Sequence, residues 1–204
     1  MRSSKTGFIV WILIYMIVFI WSAVEPKDFF TWVLEVLPAM IGAVLMALTY
    51  KSFRLTPMLY ILILAHMIIL MVGGHYTYAE VPLFDRLSEI MGWSRNNFDK
   101  LGHFMQGFEP AILAREILIR NHAVNGKGWL NLFILSICLG FSALYELIEW
   151  QVALWSKEAA DSFLGTQGYV WDTQSDMGYA LVGAITALLL LSRWHDRQLR
   201  DMGV

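Results

Sequence analysis

A single cysteine, Cys138, stands in the 204 residues, so the chain can form no internal disulfide. It has no CxxC zinc motif, no GxGxxG fingerprint and no P-loop. Charge is scarce as well: Asp, Glu, Lys and Arg make up 16% of the chain against 57% hydrophobic residues, with a mean hydropathy of +0.54. About a quarter of a soluble chain is charged, so this balance excludes an ordinary soluble domain. No basic groove or interleaving of basic and aromatic residues is present, which argues against a nucleic-acid partner. No internal repeat or low-complexity tract divides the chain, and residues 1–204 read as one integral membrane domain. The net charge of −2 is less informative than its distribution, because the charges fall between long apolar runs, as expected of a chain surrounded by lipid.

A helix needs about 20 residues to cross roughly 30 Å of hydrocarbon. Six runs approach that length: Gly7 to Val24, Phe29 to Tyr50, Thr56 to Gly74, Lys100 to Ile119, Trp129 to Trp155 and Met177 to Trp194. The expected fold is therefore all-α, a polytopic transmembrane helical bundle of about six spans. The fourth run is the weakest, because Glu109, Pro110, Arg115 and Glu116 interrupt it. The first follows Arg2 and Lys5 and competes with a signal-peptide reading, but its apolar part is long and "SAVEP" is a poor cleavage site.

Basic residues in short loops orient such a chain. Arg2, Lys5, Lys51, Arg54, Arg115, Arg120, Lys127, Arg193, Arg197 and Arg200 share one side, which is expected to be cytoplasmic with both termini. The other side carries Lys27, Arg86, Arg95, Lys100 and Lys157 beside ten acidic residues, and its long loops are about Tyr76 to Phe98 and Ser156 to Asp176. Within the first loop, "LFDRLSEIMGW" sets Leu83, Leu87, Ile90 and Met91 opposite Asp85, Arg86 and Glu89 and ends at Gly92. This predicts a short amphipathic helix, lying on the membrane surface or packed as an ordinary loop helix.

Polar residues gather at the outer ends of several spans. In "NNFDKLGHFMQGF", Asp99, His103 and Gln106 share a helix face. In "SALYELIEW", Ser142, Glu146 and Glu149 share another with Tyr145 beside them, and Glu149 lies about 9 Å below Trp155 at 1.5 Å per residue. In "WDTQSDMGYALVGA", Asp172 and Asp176 are one turn apart, and Tyr179 and Gly183 continue the stripe. His75 closes the third span in "VGGHYTY", and Glu35 approaches the same layer from the second. Taken singly, Asp99 reads as a first-turn carboxylate, His75 as an interfacial hydrogen-bonded histidine and Asp172 as a loop end in the aromatic belt. Glu146 with Glu149 is harder to explain by structure alone, since ionisable groups below the interface need a partner, water, a proton or a metal. His122 and His195 read as solvated, and His66 as hydrogen-bonded within the bundle.

"GGHYTY", "FDKLGHFMQGF", "ALYELIEW" and "GTQGYVWDTQSDM", in this order between spans, resemble the YjdF family of bacterial inner-membrane proteins over essentially the whole chain. The resemblance implies a multi-pass location in the bacterial inner membrane and no particular activity. A narrower likeness covers the C-terminal half: "DKLGHF", a carboxylate within the fifth span, and Asp176 with Gly183 and Ala184 are similar to VanZ-like membrane proteins. That likeness implies envelope chemistry and carries over Asp99, His103, Glu146 and Asp176. It departs where Ala180 replaces an asparagine, and where "GTQGYVWDT" replaces an arginine-bearing loop, which puts a shared substrate in doubt.

Three functions fit these residues. The first is a metal-dependent membrane enzyme acting at the periplasmic face on a lipid or lipid-linked envelope substrate. His75, His103, Asp172 and Asp176 would be ligands, with Asp99 as ligand or orienter, for a divalent zinc, manganese or magnesium ion. Glu146 or Glu149 would be the catalytic base that activates water. The second is an ion- or solute-binding carrier, in which the same carboxylates bind protons, cations or a polar solute. The third is a structural membrane protein without catalytic activity, whose polar cluster is a clamp.

Overall fold

The structure is a computed structural model, and it describes residues 5–155 and 170–204. Most of the loop expected from Ser156 to Asp176, including Lys157, Glu158 and Asp161, lies outside the described residues. Those described form seven helices: α1 (Lys5–Ala23), α2 (Phe29–Thr49), α3 (Pro57–His75), α4 (Pro82–Met91), α5 (Phe98–Arg120), α6 (Lys127–Trp155) and α7 (Asp172–Asp201). No strand occurs among the described residues.

Local chemistry sets the helix boundaries. Asp28 caps α2, its carboxylate accepting from the Thr31 N–H at 2.8 Å and the Thr31 hydroxyl at 2.5 Å. The Thr31 hydroxyl bond leads in holding the Asp28 carboxyl below its ordinary range. Pro57 opens α3, where a missing N–H costs nothing. The expected amphipathic helix is α4, and Gly92 closes it at φ +68°, a left-handed conformation that favours glycine.

Five helices have the length and composition to cross a membrane: α1, α2, α3, α6 and α7. α5, the fourth of the six runs expected to span, does not qualify on composition, although its 23 residues extend about 34 Å. Its contacts nevertheless reach both ends of the bundle. Near its start His103 faces Asp176 of α7, and near its finish Glu116 holds Thr56 at the start of α3 and His195 late in α7. α5 thus runs parallel to α7 and antiparallel to α3. It carries charge because neighbouring helices enclose it: Lys100, His103, Glu109, Arg115 and Glu116 are all buried.

The α5–α7 pair depends on small residues. A Cβ on Gly107 would lie 1.7 Å from the Ala180 carbonyl oxygen, and one on Gly183 would lie 2.0 Å from that of Phe104. The two backbones are therefore in direct contact, the arrangement small residues permit between helices in lipid. Around this pair Leu59, Met71, Ile112 and Ile134 are fully buried. Ile9, Ile17, Leu48, Leu147 and Leu189 point outward, as suits a protein whose solvent is hydrocarbon. α1 begins beside the α2–α3 turn, with Phe8 against Tyr50, and α7 finishes where Gln198 accepts from the Met58 N–H. The two ends of the described chain therefore lie at the same end of the bundle.

Candidate functional site

Asp99, His103 and Gln106 do share a face of α5, and that face looks into the bundle. The Gln106 Oε1 is 3.1 Å from His103 Nδ1. In this orientation of the Gln106 amide its carbonyl oxygen accepts and Nδ1 donates. The other ring nitrogen, Nε2, then faces Asp99 Oδ1 at 3.2 Å and Asp176 Oδ2 at 3.8 Å. A bare lone pair opposite two carboxylates would be repelled, so Nε2 needs a second proton or a cation between it and the oxygens. One donor atom from each of Asp99, His103 and Asp176 lies within 4.8 Å of the others, and this is the group the described residues offer to a metal ion. Asp99 Oδ2 and Asp176 Oδ2 are buried without a hydrogen-bond partner.

Positive charge is built into the same end. Lys100 Nζ lies 2.6 Å from Asp172 Oδ1, 2.6 Å from Asp176 Oδ1 and 3.3 Å from Asp99 Oδ2. Arg95 reaches Asp172 at 3.1 Å and Asp99 at 3.5 Å. These two cations offset two of the three aspartates. Glu35, Glu146 and Glu149 are buried in the same layer, so protonation or a bound cation must balance what remains.

α6 supplies the opposite wall. Glu146 Oε1 is 3.9 Å from His103 Nδ1 and buried without a hydrogen-bond partner. The Tyr145 hydroxyl donates to Glu35 of α2 at 2.9 Å. Between these walls lies a cavity of about 120 Å³ whose lining includes Glu35, Asp99, His103, Gln106, Tyr145 and Glu149. Tyr78 closes its side. Thr77 and Tyr78 both adopt φ +57°, a conformation unusual for a non-glycine residue and especially for a β-branched one. The turn sends the Tyr78 ring back against Gly73 and Gly102, where any Cβ would meet ring atoms at 2.3 and 2.9 Å.

The expected site residues are thus placed differently from one another. Asp99, His103 and Asp176 converge, Glu146 faces them, and Glu149 lines the cavity. Asp172 belongs to the cluster through Arg95 and Lys100. His75 lies apart: its Nδ1 is 3.1 Å from the Ser22 carbonyl and its ring packs at 4.6 Å from Trp21 and from Tyr76. It does not belong to the group of metal donors.

His195, expected to be solvated, is fully buried, with Nε2 at 3.1 Å from Glu116 and Nδ1 at 2.9 Å from Arg115. α7 is long enough to carry it alongside the interior face of α5. His66 meets its expectation through Glu109 at 3.0 Å. Lys100, Arg95 and Tyr78 were missed as parts of the site. Lys100 follows Asp99 directly and so leaves α5 on another face; only the packing of α7 turns its ammonium back to Asp172 and Asp176. Tyr78 has no sequence signal, because its position depends on a backbone turn that propensity disfavours.

A family model described as "Predicted membrane protein (DUF2238)" matches residues 7–197. The chain is 50% identical over 188 residues to a protein of Escherichia coli (strain K12) described as "Inner membrane protein YjdF", covering 92% of this chain and 90% of that protein. No solved structure matches.

Proposed function

The chain belongs to the DUF2238 family of membrane proteins, and from that premise we propose that it is a divalent-cation-dependent enzyme of the bacterial inner membrane. It acts at the periplasmic face on a lipid or lipid-linked envelope substrate. The observation that carries this reading is the convergence of Asp99, His103 and Asp176 beside a cavity, with Asp176 Oδ2 buried without a hydrogen bond and Asp99 Oδ2 met only by ion pairs at 3.3 and 3.5 Å. Carboxylate oxygens and one imidazole suit zinc, manganese or magnesium. His103 would ligate through Nε2, because Gln106 occupies Nδ1. Asp172, gripped by Arg95 and Lys100, positions Lys100 against Asp176. His75 has no part in the site.

A bound cation would supply Lewis acidity and a polarised water. Asp99, His103 and Asp176 would hold the ion, and Glu149 on the cavity wall or Glu146, whose Oε1 lies 3.9 Å from His103 Nδ1, would accept the proton of the attacking water. Arg95, on the cavity wall, is held by Asp172 and Asp99. Hydrolysis of an ester or phosphoester is the reaction class this set would serve: water would add its oxygen to the electrophilic centre while the glutamate takes one of its protons, and the bond to the leaving oxygen would break as the glutamate returns that proton to it.

A second reading, a structural clamp, is favoured by one observation. Lys100 already bridges Asp172 and Asp176 at 2.6 Å, so part of the negative charge has an internal partner. Elemental analysis of detergent-purified protein, with His103→Ala and Asp176→Asn beside it and manganese titration for weakly held ions, separates the two. Near-stoichiometric metal that both substitutions abolish supports the enzyme. Protein that neither retains metal nor binds manganese, with the variants still monodisperse, supports the clamp.

A further inference from the structure

The polar cavity does not end at His103. Part of its lining, Pro38, His66 and Leu70, is shared with a second cavity of about 530 Å³, an open groove between α2, α3 and α5. This one continues past Gly42, Met46, Leu113 and Ile117 towards Phe53 and Asn121 at the opposite end of the bundle. Its walls are almost entirely apolar. Gly42 keeps the α2 side shallow, since a Cβ there would already lie 2.9 Å from the Met67 methyl group. At the junction, midway along α3, His66 Nδ1 meets Glu109 Oε2 at 3.0 Å. The other atoms of that pair, His66 Nε2 and Glu109 Oε1, are buried without a hydrogen-bond partner, and Glu109 is only 6% exposed. Hydrocarbon cannot satisfy such groups, and an apolar groove does not hold water well.

We infer that the two cavities form one binding site for a single membrane lipid, with its headgroup in the polar cavity, its hydrocarbon chain in the groove and an ester carbonyl of the lipid accepting a hydrogen bond from His66 Nε2. A polar solute would be mismatched to the groove, and a plain hydrocarbon would leave His66 Nε2 unsatisfied. An amphipathic ligand with a hydrogen-bonding group at its head–chain boundary matches all three regions. The groove extends beyond the midpoint of α3, so the chain that fills it passes the centre of the bilayer. The inference rests on the lipid-substrate reading above and locates the substrate within it.

The test uses full-length protein in nanodiscs containing a diacyl phospholipid with a diazirine at the end of one chain. Photo-crosslinks are mapped in the wild type, in Gly42→Phe, which fills the groove, and in His66→Ala. The expected result is labelling at Gly42, Met46, Leu113 and Ile117 that falls at least about tenfold in Gly42→Phe and severalfold in His66→Ala. Leu113→Trp blocks the same groove should Gly42→Phe fail to fold. Labelling confined to outward residues such as Ile17 and Leu189, or groove labelling unchanged in a folded groove-filled variant, overturns the inference. Metal analysis of the same wild-type sample keeps failures distinguishable: groove labelling in a wild type that neither retains metal nor binds manganese sustains the lipid site and removes the enzyme, whereas metal binding without groove labelling does the reverse.

Discussion

The two ends of the α5–α7 pair use the same residue types to opposite effect. At the far end, Glu116 is fully buried, yet each of its oxygens is engaged: Thr56 donates from its N–H and hydroxyl, Arg120 from Nη1, and His195 lies at 3.1 Å. Arg115 joins the same network by reaching His195 and Asp196. At the near end, Asp99, Asp176 and Glu146 each keep a buried oxygen without a hydrogen bond, and the cluster borders a cavity. A completed network of buried charges fixes helices in register and leaves nothing to bind with. An incomplete one costs stability, and proteins retain that cost where a ligand or proton makes up the difference.

The comparison is broken most severely at the far end. Glu116→Ala leaves Thr56, Arg120 and His195 without their shared acceptor and is expected to cost about 3–5 kcal/mol, seen as a large fall in the thermal unfolding midpoint in detergent. Gly107→Ala follows, because its methyl group would collide with the Ala180 carbonyl; separating α5 from α7 is expected to cost about 2–3 kcal/mol by the same assay. Lys100→Met removes the cation shared by Asp172 and Asp176, and a loss of about 2 kcal/mol that Asp176→Asn partly restores would identify their pairing. Asp176→Asn alone is expected to leave the midpoint within about 1 kcal/mol of wild type or to raise it, in contrast to Glu116→Ala. Equal losses from Glu116→Ala and Asp176→Asn would erase the distinction between the two ends.

The smallest effect lies outside both networks. Asp28→Ala should remove about 1 kcal/mol of helix capping. The Asp28 carboxyl is held below its ordinary value by the Thr31 hydrogen bonds. Its contribution is therefore complete above the ordinary carboxylate range and disappears as pH falls through the lowered value. The difference between wild type and variant, followed by thermal unfolding from neutral to acid pH, should narrow on the acid side.

Much of this architecture is legible in the chain because lipid imposes a coarse rule. Apolar runs such as Phe29–Thr49 and Pro57–His75 must be helical to satisfy their backbone groups, and Leu83, Ile90 and Gly92 mark the short amphipathic helix with its stop. The i, i+4 spacing places Asp99 and His103 on one face of α5 before any tertiary contact is known. Spacing cannot say which helix opposes that face. His75 and His103 stand at similar depths in the sequence reading, but His75 turns to Ser22 while His103 meets Asp176.

The sequence by itself determined an all-helical membrane protein with one acidic end and one basic end, because hydrophobic runs and clustered charges act locally along the chain. The tertiary structure alone decided that α5 could keep its charges inside, that Lys100 turns back on Asp172 and Asp176, and that His195 is buried against Glu116. Each of these depends on the contact between Gly107 and Ala180 and between Gly183 and Phe104, which brings two helices distant in the chain within reach of one another. Pairing between charges falls away steeply with distance, so an approach set by backbone packing determines which carboxylates find partners and which remain available.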